Sequence, residues 1–428
     1  MTSAAAHPDR SFPSLHGRPA TGWLNDPNGI HFADGRWHVF FQYNPESARH
    51  NHITWGHVSS PDMLRWEEHP IALRPDPDGL DPAGCWSGVA TVEDGVPTLV
   101  YSGVTLDYDR SRVVIARRGA DADEWLRQEE VAAPFPSTEG VTAVRDPFLF
   151  ELDGRRWGIQ GAGLADGRGA ILLYDTTDLG AWRELGVLLY GDDPVADQLP
   201  PSNIWECPQL VRVGDDWVLM VSLWRQDDLT GVGYLVGDLA IDADTGHPSF
   251  TPRSHGLIED NPSFYAPQAV QVDGRVLLWG WARETSGIDG VRGRTLEDSD
   301  AVGWTGSLTF PREVVVDGDA ARLIPARELV GLRGDPVVGD ELPDRAWVEL
   351  SGAGEASLVL TDGGARQVIW QGTIGVGSSA TLLIDASMIE VFPEGARSDT
   401  LRAYPEGAEK YRIEAGEGVG VSAWDLRV

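Results

Sequence analysis

DGRWHVFFQY, residues Asp34 to Tyr43, sets a tight-turn dipeptide directly before a run of aromatic and β-branched residues. Asp-Gly supplies the positive φ angles that a two-residue hairpin needs, so the run reads as the returning strand of a β-hairpin. The pattern recurs. Asp94-Gly95 precedes VPTLVYSG, Asp153-Gly154 precedes RRWGIQGAG, Gly214-Asp215 precedes DWVLMVSLW and Asp273-Gly274 precedes RVLLWGWA. The turns begin at 34, 94, 153, 214 and 273, at intervals of 60, 59, 61 and 59 residues. Asp-Gly pairs at Asp78, Asp166, Asp289, Asp317 and Asp362 fall outside this spacing, but the five regular turns share the run that follows them. Units of this length with several short strands each predict the blades of a five-bladed β-propeller.

Counting back seven to nine residues from each turn reaches the start of the preceding strand, a position expected to be equivalent in every blade. It holds Asp26, Trp86 with Ser87, Asp146, Glu206 and Tyr265. Three carboxylates are thereby expected at one mouth of the central channel. Bringing unpaired acids together is costly, so their convergence marks a functional candidate. After Pro325 the pattern changes to short alternating strands, WVEL, ASLVLT, RQVIWQG, ATLLIDAS and MIEVFPE, separated by glycine-rich turns. The all-β chain is therefore divided into a propeller over residues 1–325, a connector over 326–334 and a C-terminal β-sandwich over 335–428.

Composition narrows the function. Acidic residues outnumber basic ones 66 to 34, for a formal charge of −32 that repels nucleic-acid backbones and anionic membranes. Seventeen tryptophans suit both large β-sheet cores and the flat faces of sugars. No apolar run is long enough for a membrane span or a secretory signal, which points to a cytoplasmic protein. Cys85 and Cys207 are too few for a disulfide framework and are expected to be free thiols.

Three segments carry candidate chemistry: GWLNDPNG (Gly22 to Gly29), VRDPF (Val144 to Phe148) and WECPQ (Trp205 to Gln209). Singly, each has a structural explanation: a turn cap at Asp26, a local ion pair at Arg145-Asp146, an exposed strand residue at Glu206. Together they meet the demands of glycoside hydrolysis, in which one carboxylate must be ionised to attack and another must keep a proton for the leaving oxygen. The apolar neighbours Trp205, Cys207 and Pro208 are expected to raise the pKa of Glu206, and turn amides to lower that of Asp26.

The chain resembles glycoside hydrolase family 32, the invertase, levanase and inulinase family. The resemblance rests on those three segments with FFQYNP (Phe40 to Pro45), WGHVSSPDMLRW (Trp55 to Trp66), CWSG (Cys85 to Gly88), FYAPQ (Phe264 to Gln268), GWTGSLTFPRE (Gly303 to Glu313) and IEVF (Ile389 to Phe392). It implies a five-bladed propeller with a C-terminal sandwich, in agreement with the repeat. It implies Asp26 as nucleophile, Glu206 as acid/base and Asp146 as the transition-state stabiliser that holds fructosyl hydroxyls. Asn25, Gln42, Trp86, Ser87, Arg145 and Tyr265 are implied to line the fructose pocket, with Trp281 at its rim. Arg145 is further expected to keep Asp146 ionised.

Departures from the family pattern are His50 where a pocket tryptophan is usual, Val89 for a serine, Phe148 for a frequent lysine and Gln209 for a frequent aspartate. The expected function is a retaining β-fructofuranosidase acting on sucrose or fructooligosaccharides, with levan or inulin as further substrates, needing no cofactor and no metal. A fructosyltransferase or a levanbiose-releasing levanase on the same scaffold is the first alternative. A catalytically silent sugar-binding protein is the second.

Overall fold

The computed structural model describes residues 7–284 and 293–428. All five spaced turns are hairpins: Ala33 pairs with Arg36, Glu93 with Val96, Leu152 with Arg155, Val213 with Asp216 and Val272 with Arg275. Four have both central residues at positive φ, as in Asp34 (52°) and Gly35 (75°), and the fifth has only Gly214 there (63°). Gly-Asp thus serves as well as Asp-Gly, because either order places a permissive residue where the strand twist demands positive φ.

Each hairpin is the inner half of a four-stranded blade, and five blades form a propeller. The first comprises Gly22–Ala33, Arg36–Asn44, Thr54–Ser60 and Glu67–Glu68, and the second Gly84–Glu93, Val96–Val104, Arg112–Arg118 and Trp125–Arg127. The third is Val141–Leu152, Arg155–Leu164, Gly169–Asp175 and Arg183–Tyr190, followed by Ile204–Val213, Asp216–Arg225, Asp228–Ile241 and Pro248–Leu257. The fifth, Phe264–Val272, Arg275–Ala282, Arg312–Asp317 and Ala320–Pro325, also carries the helix Leu296–Val302 and a short strand, Trp304–Thr305. That strand pairs in parallel with Gly22 and Trp23 of the first blade and so joins the ends of the ring. Neighbouring blades cover both faces of each sheet, which is why the second strands read as mainly apolar runs with an occasional polar residue, as in LMVSLW.

A five-times-repeated irregularity in the inner strands positions the site. Each has one extra residue relative to its partner: between Leu24 and Pro27, Trp86 and Gly88, Arg145 and Phe148, Glu206 and Gln209, and Tyr265 and Gln268. Four of these bulges contain proline, at Pro27, Pro147, Pro208 and Pro267. Proline lacks the N–H that an unbroken ladder would use, so it favours such a break. Bulges also turn side chains away from regular alternation and gather at functional rims.

A C-terminal β-sandwich follows, with its own core around Val348, Leu358, Leu382, Ile389 and Tyr411. WVEL and ASLVLT are not separate strands. They form one strand, Arg345–Thr361, paired with an equally continuous Arg366–Asp385. The intervening glycines bend the ladder: its register slips between Gly352 and Gly354, both at positive φ. The first half then pairs with Val419–Leu426 and the second with Lys410–Ala415.

A buried ionic network joins propeller to sandwich. Arg312, fully buried, donates to Glu390 Oε2 from Nε (3.0 Å) and from one terminal nitrogen (2.8 Å). Its other terminal nitrogen reaches Glu259. The remaining Glu390 oxygen accepts from the backbone N–H of Phe310 (2.8 Å). His16 lies between Glu390 (3.2 Å) and Asp385 (2.8 Å). The motifs TFPRE and IEVF are therefore the two faces of one interface.

Candidate active site

Aligned on the bulge prolines, Asp26, Ser87, Asp146, Cys207 and Ala266 occupy one ring around the channel. Asn25, Trp86, Arg145, Glu206 and Tyr265 form the ring before it. Glu206 is thus one residue out of step with the other two carboxylates, a correction to the equivalence counted from the turns. The backbone is strained here: Asp146 (φ 57°), Cys207 (45°) and Ala266 (44°) all adopt left-handed conformations directly before proline. Non-glycine residues hold such geometry only where the surroundings over-determine it. For Asp146 and Ala266 those surroundings include a serine on the preceding blade, since their N–H groups donate to Ser102 Oγ (2.7 Å) and Ser222 Oγ (3.1 Å).

Side chains are the chief partners of Asp26, alongside its own backbone N–H. Ser87 Oγ donates to its Oδ2 (2.6 Å), Gln42 Nε2 to the same oxygen (3.2 Å) and Asn25 Nδ2 to Oδ1 (3.0 Å). Gln42 also links Asn25 and Ser87. Burial nevertheless outweighs these donors and raises the pKa of Asp26, contrary to the lowering expected from its turn.

Glu206 accepts from Tyr265 Oη (2.8 Å) and from the Arg145 guanidinium (3.2 Å). Burial raises its pKa as expected, against the opposing charge of Arg145. Arg145 does not pair with Asp146; its ion pairs are with Glu206 and, at 3.2 Å, with Asp109. Asp146 is pushed up to about 7, first by burial and then by the charge of Glu206, with Arg145 opposing. Desolvation and mutual repulsion raise the pKa of all three carboxylates, so ionising all of them together is unfavourable.

Cys207 fills the space between two of these acids. Its N–H donates to Asp146 Oδ2 (2.9 Å), and its thiol lies 3.5 Å from that oxygen and 3.7 Å from Asp26 Oδ2. Burial and the adjacent anions raise the thiol pKa well above normal, so it remains a neutral, unreactive spacer. Gly161 permits the close approach of the fourth blade, since a Cβ there would fall 2.0 Å from the Trp205 carbonyl oxygen.

At the rim, Trp23 donates from its indole to Asn25 Oδ1 (2.7 Å) and stands edge-on to His50, with ring centroids 5.6 Å apart. His50 is exposed by surface area but crowded by the pocket wall, and that desolvation lowers its pKa despite the charge of Asp26. Trp281 is buried behind Trp23 at 5.8 Å, so it backs the rim and does not form its edge. Below the carboxylates, Gln209 accepts from Ala269 N–H and Gln268 accepts from Ile30 N–H, each at 2.8 Å. Val89 lines the same part of the channel as Gln209 and Gln268, so two of the departures noted above are uncharged residues beneath the site.

Trp23, Ser102, Asp109 and Cys207 were not identified as site residues from the sequence. A serine interrupting an apolar strand, as in LVYSG, was the available signal for Ser102. Asp109 belongs to a rim loop without a repeat equivalent, and nothing in its surroundings marked it.

A family model for the glycosyl hydrolases family 32 N-terminal domain matches residues 16–325. A sucrose-6-phosphate hydrolase of Klebsiella pneumoniae is 35% identical over 98% of this chain and 94% of that protein. A raffinose invertase of Escherichia coli is 34% identical over 75% of this chain, which spans 66% of it. Among solved structures, the GH32 beta-fructofuranosidase of Bombyx mori superposes with a TM-score of 0.81 at 25% identity, covering 98% of this chain and 94% of that one. The chain belongs to glycosyl hydrolase family 32 and is a glycoside hydrolase of the β-fructofuranosidase type.

Proposed function

We propose that the protein hydrolyses sucrose and short fructooligosaccharides with retention of configuration, using Asp26 as nucleophile, Glu206 as acid/base and Asp146 as stabiliser. The carrying observation is the convergence of three carboxylates from three blades, Asp146 buried and Asp26 and Glu206 half-buried beside it, with Asp26 and Asp146 in contact with the same Cys207 thiol. Asp26 attacks the anomeric carbon of the fructosyl group while the bond to the leaving oxygen breaks and the Glu206 proton passes to that oxygen. Water then attacks the same carbon, gives its proton to Glu206 and releases Asp26. Fructosyl hydroxyls that donate to Asp146 favour its ionised form, and the charge of ionised Asp146 favours the protonated Glu206 that the first step needs.

Asn25, Gln42, Trp86, Ser87, Arg145 and Tyr265, with Trp23 and His50 above, form the fructose pocket in this reading. The propeller, residues 1–325, carries the chemistry; 326–334 connect it to the sandwich over 335–428. A cytoplasmic setting agrees with two buried free thiols, and titration of both in the denatured, unreduced protein tests it.

Sucrose cleavage in the presence of methanol is the decisive experiment. Two inversions yield methyl β-fructofuranoside, and exclusive α product would rule out Asp26 as nucleophile. The expected separation of the two carboxyl groups is about 5 to 5.5 Å, since an inverting enzyme needs about 6.5 to 9.5 Å. The relatives named sucrose-6-phosphate hydrolase support a second reading, with a phosphorylated leaving group. Arg283, whose guanidinium lies 6.0 Å from the Tyr265 ring, is the cation at hand. Parallel kinetics on sucrose, sucrose 6-phosphate, 1-kestose, inulin and levan separate these substrates.

A further inference from the structure

The second and third strands of the second blade are joined by a loop, Thr105 to Ser111, that shows two apolar side chains to solvent. Leu106 is 82% exposed and Tyr108 58% exposed. The loop is nevertheless held in place. Val144 N–H donates to the Asp109 carbonyl (3.2 Å), Ser111 Oγ donates to the Val144 carbonyl (2.5 Å), and Arg110 pairs with Val144 in a parallel bridge. Thr105 Oγ1 closes it internally on the Asp107 carbonyl (2.8 Å). Val144 immediately precedes Arg145 and Asp146, so the loop is registered to the strand that carries two site residues.

From this loop a continuous set of contacts runs inward. The Tyr108 ring lies 6.1 Å from the Trp86 ring at 31°, and the Arg145 guanidinium lies 5.4 Å from the same Trp86 ring. Asp109 accepts from Arg145, and Arg145 donates to Glu206. The exposed tyrosine is thus tied through Trp86 and Arg145 to the acid/base. An exposed aromatic ring fixed beside a polar cavity offers a flat apolar face to a sugar ring.

We propose that Tyr108, with Leu106 beside it, is the wall of the leaving-group site, against which the glucosyl ring of sucrose stacks by its C–H face. This inference rests on the assignment of Glu206 as acid/base. The proton donor must touch the oxygen shared by the two sugars, so the fructosyl ring lies inward among Asp26 and Asp146, and the departing ring lies outward. Tyr108 is reached from Glu206 through Arg145 and then Trp86, a wall of the fructose pocket, so its exposed ring lies beyond that pocket on the outward side. A tyrosine suits the task because its flat apolar face meets sugar C–H groups while its hydroxyl stays hydrated.

The experiment compares sucrose with fructose as a competitive inhibitor, because fructose fills the inner half of the site alone. Tyr108→Ala is expected to raise KM for sucrose about 3- to 10-fold, the range of one aromatic stacking contact, while Ki for fructose stays within about twofold. Tyr108→Phe is expected to behave as wild type, since the ring and not the hydroxyl makes the contact. An unchanged KM in Tyr108→Ala, a parallel rise in KM and Ki, or equal damage from the Phe variant would each overturn the proposal. Failure of the wild-type enzyme to release fructose from sucrose would instead refute the reading on which it rests.

Discussion

Replacing Arg312 with methionine tests whether the ionic network holds the two domains together. Arg312 is fully buried between Glu259 and Glu390, whose side chains are 1% and 0% exposed. Methionine fills similar volume but leaves both carboxylates without their shared cation. His16 still faces Glu390, whereas no other ion pair reaches Glu259 among the described residues. Removing one partner from a buried pair costs about 3 to 5 kcal/mol, because an uncompensated charge remains in a medium that solvates it poorly. Unfolding entropy of about 2.1 cal/mol/K per residue amounts to roughly 0.9 kcal/mol/K over the 428 residues, so the melting temperature should fall by about 3 to 6 °C. A triple variant, Arg312→Met with Glu259→Gln and Glu390→Gln, removes the stranded charges and should recover most of the loss. Differential scanning calorimetry reads both. A single variant melting within about 1 °C of wild type, or a triple variant no more stable than the single, would refute the reasoning.

Asp26→Asn and Glu206→Gln should each lower kcat by at least about 10² to 10⁴-fold with an unchanged circular dichroism spectrum, and near-normal turnover in either contradicts its assignment. Asp146→Asn should depress kcat more than it raises KM, because hydrogen bonds to the fructosyl ring tighten as the transition state forms; an effect confined to KM would make Asp146 a simple binding residue. Only ionised Asp26 attacks, and burial raises its pKa, so the acidic limb of kcat/KM should lie above the ordinary carboxylate range. Ser87→Ala removes a donor to that anion and should move the limb to higher pH; movement to lower pH has the wrong sign.

The hairpins were legible because positive φ in a two-residue turn restricts residue choice strongly, and the restriction repeats at each blade. What could not be counted from the turns was the offset of Glu206. Blade one has a second register shift, between Asn28 and His31. That extra residue puts Asp26 eight positions before its turn, the same count as Glu206, although the prolines align Asp26 with Cys207. Periodicity locates a strand, but a bulge re-aims its side chains without changing their composition. For the same reason, Arg145 beside Asp146 in sequence suggested a pair that the structure does not make. Successive residues of a strand point apart, and the guanidinium finds Glu206 on the next blade instead. In the sandwich, glycines that read as turns proved to be bends within continuous strands, since glycine permits either and only cross-strand pairing decides.

One scaffold gives like carboxylates unlike surroundings at this repeated bulge. The bulge sets each carboxylate at the channel mouth, and what surrounds it there comes from its own blade and the next. At Asp26 the neighbours are neutral donors, Asn25, Gln42 and Ser87, which stabilise an anion without cancelling its charge. At Glu206 they are a cation and a phenol, arranged so that either protonation state retains a partner. At Asp146 the named partners are the Cys207 amide and thiol, both on Oδ2. A hydroxyl-rich ligand can donate to Oδ1, and doing so lowers the proton affinity of Asp146 at the moment Glu206 must hold a proton. On the proposed assignment, substrate binding would thereby set the ionisation pattern that catalysis needs, so the cost of holding three carboxylates together would couple occupancy to readiness for the first step.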